Sequence, residues 1–252
     1  MKCLYRLYQL FIFIPIFLLL TLVIGIIVIV GCMLGFGHFC SYYPGKFWSW
    51  ITVRLLLLPV KVEGRENLEE RQSYVFVANH QGVFDIFLIY GFLHKHFKWM
   101  MKKELRRIFI VGKACESCRF IFVDKSSPSA IKRTYHEARE VLKEGVSLTV
   151  FPEGARTFTG HMGYFKRGAF MLADEIQLPV CPLTINGSFN VMPRMRDGHW
   201  VNWHPLRLTI HKPIYPIGKG KENQDYLKEE SYKSVMSALV QEYQGYVENL
   251  DQ

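Results

Sequence analysis

The chain has 252 residues, half of them hydrophobic, and its 31 Lys and Arg against 22 Asp and Glu give a formal charge of +9. That length accommodates one α/β domain plus an anchor, and six scattered cysteines exclude a secreted disulfide framework. The positive balance suits nucleic acid or a membrane surface, but no recognised nucleic-acid motif accompanies it, which leaves the membrane.

No Asp, Glu, Lys or Arg occurs from Leu7 to Gly45, and Leu10 to Val30 is almost wholly aliphatic or aromatic. The run exceeds the ~20 residues that a spanning helix needs. It is also longer than the apolar core of a secretory signal, so an anchor is expected although Val30-Gly31-Cys32 resembles a lipoprotein cleavage site. A second segment, Phe47 to Val60, carries Trp48, Trp50 and Arg54 among its leucines. Its shorter length and its residues predict an interfacial or re-entrant helix. Lys2 and Arg6 precede this region and Lys61 and Arg65 follow it, which predicts a hairpin with the rest of the chain on the cytoplasmic face. Residues 1–60 are thus expected to form the anchor and 61–252 a single α/β domain.

Val60 to Gly64 reads as a short strand and turn. Tyr74 to Ala78 shows no polar alternation, as expected of a strand buried on both faces. It runs into Asn79-His80-Gln81-Gly82-Val83-Phe84-Asp85, after which Ile86, Phe87, Ile89 and Tyr90 suit a helix. His80 therefore lies where a strand gives way to a helix, and ligands gather at such strand ends in parallel sheets. Asp85, one turn into the helix, can accept from one imidazole nitrogen and leave the other free to take a proton. The competing reading is a core histidine beside a capping carboxylate.

Further strands are expected at Phe97 to Met101, Phe120 to Val123, Ser147 to Phe151, Val180 to Ile185 and Leu206 to Ile210. Between them, Ser127-Pro128 starts a helix in which Ile131, Tyr135, Ala138 and Leu142 recur at helical spacing until Gly145. A second helix is expected near Lys166 to Ile176 and a closing one from Tyr226 to Leu250. This alternation predicts an α/β fold with a mostly parallel sheet flanked by helices. Lys102, Lys103, Arg106 and Arg107 form a basic cluster beside Phe109 and Ile110, suited to anionic lipid and acidic substrates. His94-Lys95-His96 reads as surface histidines without a matching carboxylate set for a metal, and Cys115 and Cys118 as free thiols. Neither a Gly-x-Ser-x-Gly elbow, a Walker loop nor a dinucleotide fingerprint is present.

The strand at Ser147 ends in Phe151-Pro152-Glu153-Gly154-Ala155-Arg156-Thr157, a second charged, glycine-containing loop. With it the chain resembles the glycerolipid acyltransferases. His80 through Asp85 is similar to that family's His-x-x-x-x-Asp motif, and Phe151 to Thr157 to its Phe-Pro-Glu-Gly-Thr-Arg-Ser block. Two further blocks are similar to Arg119-Phe120-Ile121-Phe122-Val123-Asp124-Lys125 and Leu178-Pro179-Val180-Cys181-Pro182-Leu183. The resemblance is strongest to the lysophosphatidic acid acyltransferase branch. It implies that His80, oriented by Asp85, activates the hydroxyl of a lysophospholipid to attack a thioester of acyl-CoA or acyl carrier protein. It places Glu153, Gly154, Arg156, Lys125 and Lys102 in substrate binding and implies neither metal nor cofactor. The family usually has Gly and Arg where this chain has Arg119 and Lys125, and Thr where it has Ala155. These departures bear on the acceptor, so glycerol 3-phosphate or a lyso-aminolipid stands as an alternative, as does a lipid-binding protein that keeps the fold without activity.

Overall fold

The computed structural model describes residues 2–143, 145–194 and 200–246. The apolar run folds as one long helix, α1, over Lys2–Met33. A π-helical turn at Gln9–Phe13 just precedes Pro15, whose ring and missing N–H disrupt regular α bonding. The chain reverses at Gly35, where φ is +91°, and a second helix, α2, spans Tyr43–Leu55. It starts and ends earlier than its hydropathy suggests, because Pro44 opens the first turn and Leu57 takes a positive φ of 56°. The start of α1 meets the end of α2, with the Tyr8 hydroxyl donating to the Leu55 carbonyl at 2.7 Å. The Trp48 indole N–H donates to Thr21 Oγ1 at 2.9 Å further along. The two helices thus form a hairpin.

Seven strands follow: β1 (Val60–Glu63), β2 (Val75–Ala78), β3 (Phe97–Lys102), β4 (Ile121–Val123), β5 (Ser147–Val150), β6 (Val180–Asn186) and β7 (Leu206–Ile210). They form one sheet in the order β1-β7-β6-β2-β5-β3-β4. Every pairing is parallel except β6 with β7. The longer helices between and after them are α3 (Phe84–Phe92), α4 (Val111–Ser117), α5 (Pro128–Lys143), α6 (Gly168–Ile176) and α7 (Lys221–Ala238).

Each residue of β2 is buried, and its two faces feed two separate cores. Tyr74, Phe76 and Ala78 pack with Val28 of α1, Val53 of α2 and Leu88 of α3. Val75 and Val77 pack with Val141 of α5, Phe170 of α6 and Leu227 of α7. The sheet is therefore the middle of three layers, as its unalternating apolar strands require. The first core crosses residue 60 without interruption, so the hairpin is packed onto the sheet layer. Gln9 of α1 cements this contact: its side chain is buried and bonds both the N–H and the C=O of Val201.

Two expectations need correction. The closing helix begins at Lys221, five residues before Tyr226. Its polar first turn has no apolar periodicity, but it is held by buried Asp174 of α6, whose carboxylate accepts from Gly220 N–H and from the Asn223 and Gln224 side chains. It ends at Ala238, where Asn186 accepts from Val240 N–H and donates to Ala238 C=O; residues 247–250 of the expected helix lie outside the described residues. Of the two expected surface histidines His94 is exposed, but His96 is half-buried, with its ring stacked on Tyr42 at 5.0 Å. All six cysteines are free, as expected.

Candidate active site

Sheet order decides what the loops can do together. β2 and β5 are parallel neighbours, with Val77 opposite Val150, so the loops that follow them emerge side by side at one edge. β3, β4 and β6 run the same way and deliver Lys102, Lys125 and Ser188 to that edge too.

Asn79 pins the end of β2. Its buried side chain donates to the Ile185 carbonyl and accepts from Ile185 N–H on β6, at 2.9 and 2.8 Å. The next residue, His80, turns its ring onto Phe151 in a face-to-face stack with centroids 3.9 Å apart. Its Nδ1 lies 2.7 Å from Asp85 Oδ2, and the same oxygen accepts from Gly82 N–H at 2.9 Å. Asp85 is wholly buried, while the His80 side chain keeps 15% of its exposure. With the carboxylate holding Nδ1–H, Nε2 carries the lone pair and is the nitrogen left to take a proton. A core histidine would have both nitrogens bonded inside the protein; Nε2 of His80 has no hydrogen-bond partner among the described residues.

Gly82 must be glycine for this loop to close, since a Cβ there would lie 2.6 Å from Ser188 Oγ and 2.7 Å from the Ser188 carbonyl. The second loop locks against the first through its backbone: Thr157 N–H donates to the His80 carbonyl at 3.0 Å. Glu153 supplies the other tie. One of its oxygens accepts from His80 N–H at 2.7 Å and the other from Gly163 N–H at 2.8 Å. Burial, the larger influence, pushes its pKa up to about 8, against the pull of those two N–H donors. The carboxylate that the resemblance places in acceptor binding is thus turned inward, holding together the two loops that form the site.

The cations fall into two groups. Arg156 is half-buried and close enough to Asp85 for their charges to interact, and burial followed by the neighbouring Arg194 guanidinium lowers its pKa. Lys102, Lys125 and Lys166 gather on the other side, where burial and then the charges of Lys125 and Lys102 lower the pKa of Lys166. Gly154 joins the groups: it sits at φ +81°, and a Cβ on it would approach Lys166 Nζ to 2.8 Å. Arg194, Lys166, Gly163 and the stacking role of Phe151 had no signal in local spacing, because each acts across the fold. Among the described residues no cluster of His, Cys, Asp and Glu could hold a metal ion.

The description of the acyltransferase family matches residues 59–186, half of the chain, and includes both loops. The chain belongs to the acyltransferase family. The fold is similar to the crystal structure of PlsC, the 1-acyl-sn-glycerophosphate acyltransferase of Thermotoga maritima. The TM-score is 0.66 at 30% identity, over 87% of this chain and 95% of that one. A chloroplastic 1-acyl-sn-glycerol-3-phosphate acyltransferase of Arabidopsis thaliana is 33% identical over 71% of this chain and 49% of its own length. The 1-acyl-sn-glycerol-3-phosphate acyltransferase alpha of Ovis aries is 36% identical over 53% of this chain and 50% of its own. The chain spans about half the length of these curated relatives. Within the family, they belong to the branch to which the sequence motifs point.

Proposed function

We propose that this chain is an O-acyltransferase that moves a fatty acyl group from a thioester to the free hydroxyl of lysophosphatidic acid, giving phosphatidic acid. The 2.7 Å pairing of His80 Nδ1 with buried Asp85 carries this reading, because it leaves Nε2 as a base at the edge where the cations gather. The acceptor hydroxyl attacks the thioester carbonyl as Nε2 takes its proton, so no free alkoxide forms. Asp85 stabilises the resulting imidazolium. Collapse of the tetrahedral intermediate breaks the carbon–sulfur bond, and the imidazolium returns the proton to the departing thiolate. Phe151, stacked on the imidazole, restricts the ring to the plane in which Asp85 holds it.

A membrane-associated acceptor fits the rest of the surface. Leu10, Phe11, Leu18, Leu19, Ile26 and Val30 of α1 are exposed, an apolar face that water does not favour. Phe109, 85% exposed beside the basic cluster, extends it, and Ile110 packs against Gly25 of α1. Full-length protein is expected to stay with membranes in high salt and to leave them in detergent; release by salt alone would contradict burial of this face.

The deciding experiment supplies purified full-length protein with lysophosphatidic acid, glycerol 3-phosphate and a lyso-aminolipid, each with acyl-CoA and with acyl carrier protein. Phosphatidic acid formation from the first acceptor supports the reading, and the donor that serves identifies the carrier. Turnover confined to another acceptor would keep the chemistry and replace the substrate. No turnover on any would leave a lipid-binding protein.

A further inference from the structure

We propose that Arg194 is a second acceptor-binding residue, which works with Arg156 as a two-guanidinium clamp on the acceptor's phosphomonoester; this rests on the acceptor reading above. Three contacts hold Arg194 in place. Pro193 forms an antiparallel bridge with Gly82, so the backbone before Arg194 is seated on the loop that carries His80. Arg194 Nη1 donates to the Arg156 carbonyl at 2.9 Å. Its guanidinium carbon stands 4.1 Å from the centroid of the Phe158 ring, a cation–π arrangement that orients the planar group. The side chain is therefore tied at one end to the His80 loop and at the other to the Arg156 loop.

Such placement brings two cations together. Their charges interact unfavourably while that of Asp85 acts in the opposite sense, and neither guanidinium forms a salt bridge with a carboxylate among the described residues. Asp85 cannot neutralise both: it carries one negative charge, and the oxygen it uses in hydrogen bonds is already shared by His80 and Gly82. A phosphomonoester can: it carries close to two negative charges near neutral pH and three terminal oxygens, enough for two planar forks. The geometry also suits the reaction. In lysophosphatidic acid two carbons join the phosphate ester oxygen to the free hydroxyl, so a phosphate gripped beside Asp85 presents that hydroxyl near His80. Lys102, Lys125 and Lys166, by contrast, are exposed, and an ammonium is a point charge without the planar fork of a guanidinium.

The dull alternative is that Arg194 only caps the Arg156 carbonyl. Arg194→Gln separates the two roles, because its amide can still donate to that carbonyl but carries no charge; Arg194→Lys keeps the charge and loses the fork. The assay uses full-length protein in detergent micelles, with lysophosphatidic acid and uncharged monoacylglycerol as acceptors. A second measurement, without any donor, reads the rise in Tm caused by glycerol 3-phosphate. Arg194→Gln is expected to lower kcat/KM for lysophosphatidic acid by about 10- to 100-fold, mostly through KM, and to spare the uncharged acceptor. Arg194→Lys should recover part of the loss, and the glycerol 3-phosphate shift should shrink in Arg194→Gln. Equal losses on both acceptors, or an unchanged shift, would overturn the clamp, as would a wild-type protein that glycerol 3-phosphate does not stabilise. Stabilisation that depends on Arg194 in a protein without turnover would keep the clamp and defeat the reaction. Normal turnover with a silent Arg194→Gln would do the reverse.

Discussion

The site and the hairpin are ordered by different forces. At the site, backbone N–H groups converge on two inward-turned carboxyl groups: Gly82 on Asp85, and His80 and Gly163 on Glu153. Hydrogen bonds in such dry surroundings are strong, and removing one partner leaves the other unsatisfied. In the hairpin, α1 buries one face against α2 and the sheet layer through apolar contacts and a few polar ties such as Trp48 to Thr21, and leaves the opposite face exposed. Packing of that sort spreads its stability over many weak contacts. A single change should therefore damage the site severely and locally, and the hairpin only slightly.

The largest effect is expected at the base. His80→Ala should reduce turnover by roughly 10²- to 10⁴-fold while leaving the thermal transition nearly unchanged, because the side chain keeps some exposure and its Nε2 has no hydrogen-bond partner among the described residues. A comparable fall in Tm would mean that His80 is a core histidine after all. Asp85→Asn should retain some activity but lose the preferred tautomer, and full activity would break the dyad assignment.

Glu153 provides a test by pH. Its folded pKa of about 8 lies above that of an unfolded glutamate, so the folded state keeps a proton that the unfolded chain releases. Stability from this source is complete below about pH 4.3 and is lost as pH rises through 8. Across that window, wild type should lose on the order of a few kcal/mol relative to Glu153→Gln in denaturant titrations. Parallel curves would show that the two N–H donors outweigh burial.

At the acceptor site, Arg156→Ala should lower kcat/KM for lysophosphatidic acid by on the order of 10- to 100-fold, with Arg156→Lys intermediate. An acceptor lacking phosphate should not register the change. The smallest effect belongs to the hairpin: Trp48→Phe removes the hydrogen bond to Thr21 and should cost about 1 kcal/mol, with kcat untouched. A large loss of activity there would erase the contrast between the two regions.

Local pattern determined much of this molecule. The unalternating run at Tyr74 to Ala78 is a strand buried on both faces, the spacing from Ile131 to Leu142 forms a helix that buries Ala138 and Leu142 while Ile131 stays exposed, and the apolar stretch from Leu10 to Val30 is helical as its composition requires. His80 and Asp85 were legible because they lie five residues apart where a strand gives way to a helix. What spacing could not express is adjacency. Only the parallel pairing of β2 with β5 brings His80 within 2.7 Å of a Glu153 oxygen, across 73 residues of sequence. That meeting makes Glu153 a brace between the two loops. The same long-range packing placed Arg194 beside Arg156 and Lys166 beside Lys125, and laid one face of α1 on the domain through Gln9 and Val201. Which strands become neighbours is set by crossovers and by the fit of two cores on opposite faces of the sheet, and those free energies belong to the folded chain as a whole.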